Sequence, residues 1–231
     1  QRSKLAAKLD PTLAIRHEPM ILVTGGAGYI GSHACVELLN AGIDVTVFDN
    51  FSNSHREALV RIERITGKKP GLIEGDIRDS EALIAALRKS KAAAVIHFAG
   101  LKAVGESVEK PLTYYDNNVV GTIRLLEAMR ECEVRTLVFS SSATVYGDPQ
   151  RLPLAEDHPL SATNPYGRTK LVIEDILRDL YRSDRSWRIG ILRYFNPVGA
   201  HASGLIGEDP RGTPNNLMPY VAQVAAGQRD Y

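Results

Sequence analysis

From Met20 onwards, short apolar runs alternate with segments of helical periodicity. The runs are rich in β-branched residues, which is typical of buried strands, and apolar residues recur every three or four positions in the segments between them. The pattern predicts six strands, at residues 21–23, 44–48, 71–76, 92–98, 135–139 and 188–192. Strands that alternate with helices through short connections predict an α/β fold with a doubly wound parallel sheet.

Helix start and stop signals divide the segments between the strands. Helices are predicted up to Asn40, from a cap at Ser54 to Thr66, from Ser80 onwards, and over residues 118–130, 166–182 and 215–227. In the 118–130 helix, Ile123, Leu126 and Met129 share one face and are expected to point inward.

The regular pattern does not extend to the two ends of the chain. We expect residues 1–19 to be an extension outside the fold, loosely ordered, with a short helix over residues 3–9. Residues 197–214 contain several glycines and prolines and few apolar residues, which predicts a long loop over the edge of the sheet.

The composition excludes several classes of protein. With 44% hydrophobic and 24% charged residues, the chain is typical of a globular protein, and a net charge of +1 argues against a nucleic-acid partner. No apolar stretch approaches the roughly 20 residues that span a bilayer, so no membrane segment is expected. The two cysteines lack CxxC spacing and the six histidines lack metal-ligand spacing. We therefore expect a cytoplasmic protein without a metal site.

The ends of the predicted strands carry small and polar residues. Because parallel strands end at the same edge of a sheet, these residues are expected to share one crevice. They are Thr24, Gly25, Asp49, Asn50, Asp76, Ile77, Phe98, Ala99, Gly100, Ser140, Ser141, Ser142, Tyr194, Phe195 and Asn196.

A glycine-rich turn follows the first predicted strand. Its spacing fits both Gly26-x-Gly28-x-x-Gly31 and Gly25-x-x-Gly28-x-x-Gly31, so spacing alone does not separate two dinucleotide-binding patterns. A strand, a tight turn and a helix N-terminus direct backbone N–H groups toward a pyrophosphate. Asp49 ends the second strand, where an acid accepts hydrogen bonds from ribose and repels a 2′-phosphate, which favours NAD. The nearby Arg56 leaves NADP open.

Tyr166 and Lys170 stand four residues apart and therefore on one face of a helix. For Tyr166 to act as a base near neutrality, its pKa of about 10 must fall by about 3, which neighbouring positive charge favours. Ser140 to Ser142 follow the fifth strand and offer hydroxyls to a substrate. An ordinary helical surface pair and a serine-rich turn are the alternatives.

Several strings resemble the UDP-galactose (UDP-glucose) 4-epimerases, a family of extended short-chain dehydrogenases/reductases. The strings are Thr24–Gly31, Phe98–Ser107 and Arg193–His201, together with Ser142, Tyr166 and Lys170, and the similarity runs from Met20 to about Asp230. The resemblance implies a Rossmann-like fold, a tightly held NAD and reversible inversion at C4 of a UDP-hexose through a 4-keto intermediate. It makes Tyr166 the base, gives Lys170 the role of lowering its pKa, and has Ser142 bond the sugar 4-hydroxyl.

The resemblance also implies two sets of binding residues. The cofactor-binding set is Gly25, Gly28, Tyr29, Ile30, Gly31, Asp49, Asn50, Asp76, Ile77, Phe98, Ala99, Gly100, Lys102, Asn117, Ser140, Tyr166, Lys170, Tyr194 and Phe195. The substrate-binding set is Lys102, Ser142, Tyr166, Asn196 and Asn216.

Members of the resembled family continue well past residue 231, and they are expected to be homodimers at full length. We accordingly expect an NAD-binding domain over residues 20–195, an incomplete substrate-binding part over residues 196–231, and weak or absent turnover by this chain alone. Two alternatives stay open. A sugar-nucleotide dehydratase would need a carboxylate pair where this chain has Ala143 and Thr144, and a non-catalytic NAD-binding fragment would have lost the chemistry.

Overall fold

A computed structural model describes residues 20–211 and 216–230. In it, six parallel strands form one sheet in the order β3-β2-β1-β4-β5-β6. The strands are β1 (Ile21–Thr24), β2 (Val45–Asp49), β3 (Gly71–Glu74), β4 (Ala94–His97), β5 (Thr136–Ser142) and β6 (Arg188–Tyr194). This is the doubly wound order of Rossmann folds, with the switch in direction beside β1, so the predicted fold class is confirmed.

Helices cover both faces of the sheet. They are α1 (Tyr29–Asn40), α2 (Glu57–Thr66), α3 (Ser80–Ser90), α4 (Val104–Glu109), α5 (Pro111–Tyr114), α6 (Gly121–Glu131), α7 (Pro165–Ser183) and α8 (Leu217–Ala225), with a π-helical turn at Tyr115–Val120 and a 3-10 turn at Ala143–Tyr146. None of the helices in this described part is long and apolar enough to cross a membrane.

The core consists of two apolar layers separated by the sheet. Leu22 and Phe48 belong to the layer beneath α3, α6 and α7, whereas Val23 and Val47 belong to the layer beneath α1 and α2. Neighbouring residues of one strand point to opposite faces, so a strand that is apolar throughout serves both layers. This explains the continuous apolar runs in the sequence.

All six predicted strands are present, but two are longer than predicted. The prediction ended the fifth and sixth strands at the last apolar residue, whereas pairing continues through Ser140 with Leu192 and Ser142 with Tyr194. Backbone hydrogen bonds do not require apolar side chains, so the ladder extends past the apolar run. Consequently the three serines belong to β5 itself rather than to a loop after it.

The helix predictions need three corrections. Ser54 does not cap α2, because its hydroxyl donates to the Asp49 carboxylate at 2.8 Å and α2 begins at Glu57. The helix predicted from residue 118 instead continues a helical stretch that begins at Pro111, and α4 was not predicted. In α6, Leu126 and Met129 are buried as predicted, while Ile123 is only half-buried.

The remaining predictions concern the ends of the chain. Residues 197–211 form the predicted loop, and α8 lies within the predicted 215–227 helix. The extension over residues 1–19, including its helix at 3–9, lies outside the described residues. The division of the chain at residues 195 and 196 stays a prediction.

Candidate active site

A cleft of about 1160 Å³ lies at the carboxyl ends of the strands. Its walls come from the turns and loops that follow all six strands, as the parallel sheet requires. All but one of the residues predicted to bind cofactor or substrate line it, and the exception is Asp76. The lining therefore includes Gly25, Gly28, Tyr29, Ile30, Gly31, Asp49, Asn50, Ile77, Phe98, Ala99, Gly100, Lys102, Asn117, Ser140, Ser142, Tyr166, Lys170, Tyr194, Phe195, Asn196 and Asn216.

The glycine turn closes tightly against the start of α1. Gly25 has a φ of +70°, and the Gly28 N–H donates to its carbonyl oxygen at 3.1 Å. A Cβ at Gly31 would stand 2.2 Å from that same oxygen, so this position excludes any side chain. Within the described residues, no side chain caps α1 and its first turn has no acid, so its backbone N–H groups face the cleft. These features fit the pyrophosphate of a dinucleotide.

Asp49 links the glycine turn to the loop after β2. Its carboxylate accepts hydrogen bonds from the Ala27 N–H at 3.0 Å, the Phe51 N–H at 2.9 Å and the Ser54 hydroxyl at 2.8 Å. Oδ2 accepts a single bond among the described residues and retains capacity for a second donor. The predicted contact with ribose is compatible with this geometry and stays a prediction.

Two arginines near the loop after β2 are held by carboxylates. Arg56 pairs with Glu74, and its guanidinium stacks 4.5 Å from the centre of the Phe51 ring. Arg78 donates to both oxygens of Asp76 at 2.9 and 2.8 Å, and these bonds lower the pKa of that carboxyl to about 2. The Asp76 side chain is thus engaged beside the cleft, while its neighbour Ile77 lines it.

Tyr166 and Lys170 occupy the first turns of α7. Asn164 caps this helix, since its side-chain oxygen accepts from the Gly167 N–H at 2.8 Å, and Pro165 begins it. The Lys170 Nζ atom lies 6.0 Å from the centre of the Tyr166 ring and donates to the Ser140 carbonyl oxygen at 2.7 Å. The structure therefore brings the predicted phenol, ammonium and serine strand together.

Burial dominates the electrostatics of this group. It lowers the pKa of the Lys170 ammonium to about 8 and raises the pKa of the Tyr166 phenol. The Ser142 hydroxyl opposes burial by lowering the pKa of Tyr166. The net direction for Tyr166 is opposite to the lowering that the sequence led us to expect, because desolvation disfavours the phenolate more than the Ser142 hydrogen bond favours it.

Ser142 is oriented by the turn that follows it. Its Oγ atom accepts from the Thr144 N–H at 3.2 Å and from the Thr144 hydroxyl at 2.9 Å. Because the oxygen accepts both bonds, the hydroxyl hydrogen of Ser142 remains able to donate toward the cleft. This polarity suits a group that donates to a sugar or tyrosine oxygen.

A buried ionic cluster beneath the site was not predicted from the sequence. Glu174, fully buried on α7 one turn after Lys170, accepts from the Ser141 hydroxyl at 2.6 Å and from two guanidinium nitrogens of Arg193 at 3.0 and 2.7 Å. It thereby ties α7 to β5 and β6. A carboxylate on the inward face of an amphipathic helix was the available signal, since such a group requires a buried cationic partner.

A second network, also not predicted, joins the glycine turn to α7. The buried His97 ring accepts at Nδ1 from the Thr24 hydroxyl at 2.6 Å and donates from Nε2 to Thr122 at 3.0 Å, because the hydroxyl hydrogen of Thr122 is used on the Asn118 carbonyl. Burial and the Lys170 charge lower the pKa of His97 to about 3, so the ring is neutral. The Asn118 side chain continues the network to Thr169 at 3.1 Å.

Across the cleft, Glu208 joins two of the predicted ligand-binding residues. Its carboxylate accepts from the Lys102 ammonium at 2.8 Å and from the Asn216 amide. The Asn117 amide donates instead to Asn118 at 2.9 Å. Among the described residues, no group of three His, Cys, Asp or Glu side chains is arranged to hold a metal ion.

Comparisons with known proteins agree with this geometry. The model of the NAD dependent epimerase/dehydratase family matches residues 21–230. The UDP-glucose 4-epimerase of Bacillus subtilis is 62% identical over 208 residues, covering 90% of this chain and 61% of that protein. The UDP-glucose 4-epimerase of Mus musculus is 59% identical over 217 residues, covering 91% of this chain and 62% of that protein. The chain thus spans about three-fifths of the length of these relatives.

Two solved structures are similar over the same region. The UDP-glucose 4-epimerase of Bifidobacterium longum, in complex with NAD+ and UDP, aligns with a TM-score of 0.89 at 55% identity, covering 91% of this chain and 63% of that one. The Stenotrophomonas maltophila enzyme, with bound NAD and formylated UDP-arabinopyranose, aligns with a TM-score of 0.88 at 55% identity, covering 92% of this chain and 63% of that one. The order of the strands, the glycine turn and the match over residues 21–230 lead to one conclusion: this chain belongs to the NAD dependent epimerase/dehydratase family.

Proposed function

We propose that the site carries out NAD-dependent 4-epimerisation of a UDP-hexose, interconverting UDP-glucose and UDP-galactose through a 4-keto intermediate. The observation that carries the proposal is the arrangement of Ser142, Tyr166 and Lys170 on the wall of the cleft that the glycine turn opens into. The names of the relatives, and the NAD and UDP bound in one of the similar structures, support the same reaction.

The glycine turn and Asp49 would hold NAD. The N–H groups at the start of α1 suit its pyrophosphate, and Asp49 suits a ribose hydroxyl. When bound, NAD supplies a reversible two-electron acceptor, so the reaction causes no net oxidation. The absence of a Cβ at Gly31 lets the glycine turn pack closely on the start of α1, where these N–H groups lie.

Tyr166 takes the proton of the sugar 4-hydroxyl group and later returns it. Because burial raises the pKa of this phenol, proton transfer needs positive charge beside it. With a pKa of about 8, Lys170 is mostly protonated at neutral pH and supplies one such charge, and the oxidised cofactor ring supplies another. Ser142 donates its remaining hydrogen to the sugar oxygen, which fixes the oxygen near Tyr166.

Inversion requires the oxidised sugar to present both faces, so the hexose must be held loosely. Affinity then comes mainly from the uridine diphosphate, for which Lys102, Asn196 and Asn216 line the cleft. A dehydratase would need carboxylates after Ser142, where the chain has Ala143 and Thr144, and Thr144 instead bonds Ser142. This contact favours epimerisation.

We also infer that the enzyme acts in the cytoplasm as a homodimer. Two free cysteines without a disulfide fit a reducing compartment. The apolar side chains of Val108 on α4 and Leu112 on α5 are 62% and 81% exposed, which supports contact with a second subunit. Sedimentation of the NAD-loaded protein, compared with Leu112→Glu, tests the dimer, and an unchanged dimer in this variant would remove that face from the interface.

The proposed reaction is tested through its first half. Purified chain mixed with NAD and UDP-galactose is expected to show the near-ultraviolet absorbance of reduced dinucleotide, even if overall turnover is weak. Tyr166→Phe should abolish this signal while NAD stays bound, because the phenol accepts the proton in this step and the glycine turn and Asp49 still hold the cofactor. Reduction that persists in Tyr166→Phe would overturn the role of Tyr166, and wild-type protein that binds no NAD would overturn the function itself.

A further inference from the structure

Residues 196–211 form a strap over the cleft. The segment leaves the end of β6 at one side of the sheet and reaches the loop between β2 and α2 on the other side. In doing so it crosses the point between β1 and β4 where the direction of the strand order reverses. Residues 205–211 of the strap line the cleft directly. A ligand bound along the glycine turn would therefore lie beneath it.

On one side of the cleft, the strap is hydrogen-bonded to α1 and α2. Arg61 on α2 donates from Nη1 to the Leu205 carbonyl oxygen at 3.1 Å, and the Tyr29 hydroxyl donates to the Gly199 carbonyl at 2.7 Å. Ile206, which follows Leu205 in the chain, is only 6% exposed and packs into the apolar layer beneath α1 and α2. Because this loop residue is buried in the main core, it holds the strap at one specific position on the sheet.

Further contacts hold the end of the strap. Arg211 donates from Nε to the Ser54 carbonyl oxygen at 3.0 Å, and its N–H donates to the Asn53 side chain at 3.1 Å. On the opposite wall, Lys102 donates to Glu208 at 2.8 Å. The strap is thus attached on both sides of the cleft, above the glycine turn.

We propose that Arg61 is a positioning residue that keeps this strap closed and thereby sets the rates at which NAD enters and leaves. The inference rests on the proposed function, in which a cofactor lost in mid-reaction would leave an oxidised sugar that cannot be restored. Slow exchange of the cofactor is therefore a requirement of the reaction. Arg61 meets it through the Leu205 carbonyl, since its side chain joins α2 to the middle of the strap.

The test compares Arg61→Ala with the wild-type chain by filter binding of radiolabelled NAD. Loss of one hydrogen bond from a charged donor is expected to raise both the association and the dissociation rate constants about tenfold, with Kd nearly unchanged. A residue that binds NAD directly would instead raise the dissociation rate constant and Kd together. That second result, or unchanged rates, would overturn the proposal.

Two further variants sharpen the test. Arg64→Ala removes an exposed arginine from the same helix and should leave both rate constants unchanged. Ile206→Ala weakens the strap by a different chemistry and should also accelerate both rates, whereas unchanged rates in it would count against the strap as the gate. A wild-type chain that binds no NAD would defeat the proposed function and with it this inference; normal binding with unaltered exchange in Arg61→Ala defeats this inference alone.

Discussion

The Nζ atom of Lys170 donates to the backbone carbonyl oxygen of Ser140 at 2.7 Å, in a position where the side chain is buried and lies 4.9 Å from the centre of the Phe139 ring. This single carbonyl does not replace the hydration that an exposed ammonium enjoys. Burial consequently lowers the pKa of Lys170 from 10.5 to about 8. The proposed chemistry needs the positive charge of Lys170, and keeping that charge buried lowers the stability of the fold.

The first prediction concerns how stability depends on pH. Because the folded pKa of Lys170 lies below the unfolded one, the unfolded state binds more protons between them, and stability rises with pH in that window. Relative to Lys170→Met, the wild type should gain about 3 kcal/mol in free energy of unfolding as pH rises through this range. Urea denaturation of both proteins at several pH values measures the difference.

A lysine substitution on α3 is the control for changes in the free energy of unfolding that alkaline pH causes in any variant. Lys89 is exposed, so Lys89→Met should differ from the wild type by an amount that does not vary with pH. If the difference in free energy of unfolding between the wild type and Lys170→Met also does not vary with pH, the Lys170 ammonium is not desolvated in the folded protein.

The topology and the position of the cleft were predictable because they follow from general rules. Apolar runs mark buried strands, and parallel strands end at one edge, so Gly25, Asp49 and Ser142 were expected to converge. The contact between Glu174 and Arg193 was not predictable, since it depends on the inward direction of two side chains from different elements. Likewise, glycines and prolines marked residues 197–214 as a loop, but the path of its described part depends on distant contacts such as that between Arg61 and Leu205.

The second prediction tests how closely the glycine turn packs against the start of α1. A Cβ at Gly31 would stand 2.2 Å from the Gly25 oxygen and 2.8 Å from the Gly26 Cα atom, both backbone atoms that cannot move away independently. Gly31→Ala should therefore lower NAD affinity at least about tenfold, as measured by calorimetry. Gly190→Ala on β6 is the control, because its Cβ would meet only the Val138 side chain at 3.8 Å. Equal NAD affinity in the two variants would contradict the tight turn.

The third prediction concerns the choice between NAD and NADP. The Asp49 carboxylate repels a 2′-phosphate, and Arg56, the cation that would attract one, is paired with Glu74. The wild type should bind NAD more tightly than NADP. Asp49→Asn should lower the ratio of the two affinities, because it removes the negative charge and keeps a side-chain hydrogen-bond acceptor. Calorimetry with both dinucleotides measures the ratio of affinities. Glu63→Gln, an exposed change on α2, should leave the ratio unchanged, and a ratio unaltered by Asp49→Asn would rule out this carboxylate as the discriminator.

The fourth prediction concerns the ionic cluster that joins α7 to β5 and β6. Burial alone raises the pKa of the Glu174 carboxyl, but hydrogen bonds from Arg193 and Ser141 lower it below its ordinary value. The stability that Glu174 contributes is therefore present above its unfolded pKa and is lost as pH falls through the folded one. Removing the carboxylate leaves the mostly buried Arg193 without its counter-charge.

Glu174→Ala should accordingly reduce the free energy of unfolding by about 3 to 5 kcal/mol, measured by urea denaturation at neutral pH. Glu174 also accepts from the Arg178 guanidinium at 2.6 Å. Asp175→Ala is the matched control one residue along α7, since Asp175 pairs with the same arginine but is 65% exposed, and the substitution should cost less than about 1 kcal/mol. Replacing Glu174 and Arg193 together by leucine should recover most of the loss, because no unpaired charge remains buried. A double variant as unstable as Glu174→Ala would show that the pair stabilises the fold by its own attraction rather than by mutual neutralisation.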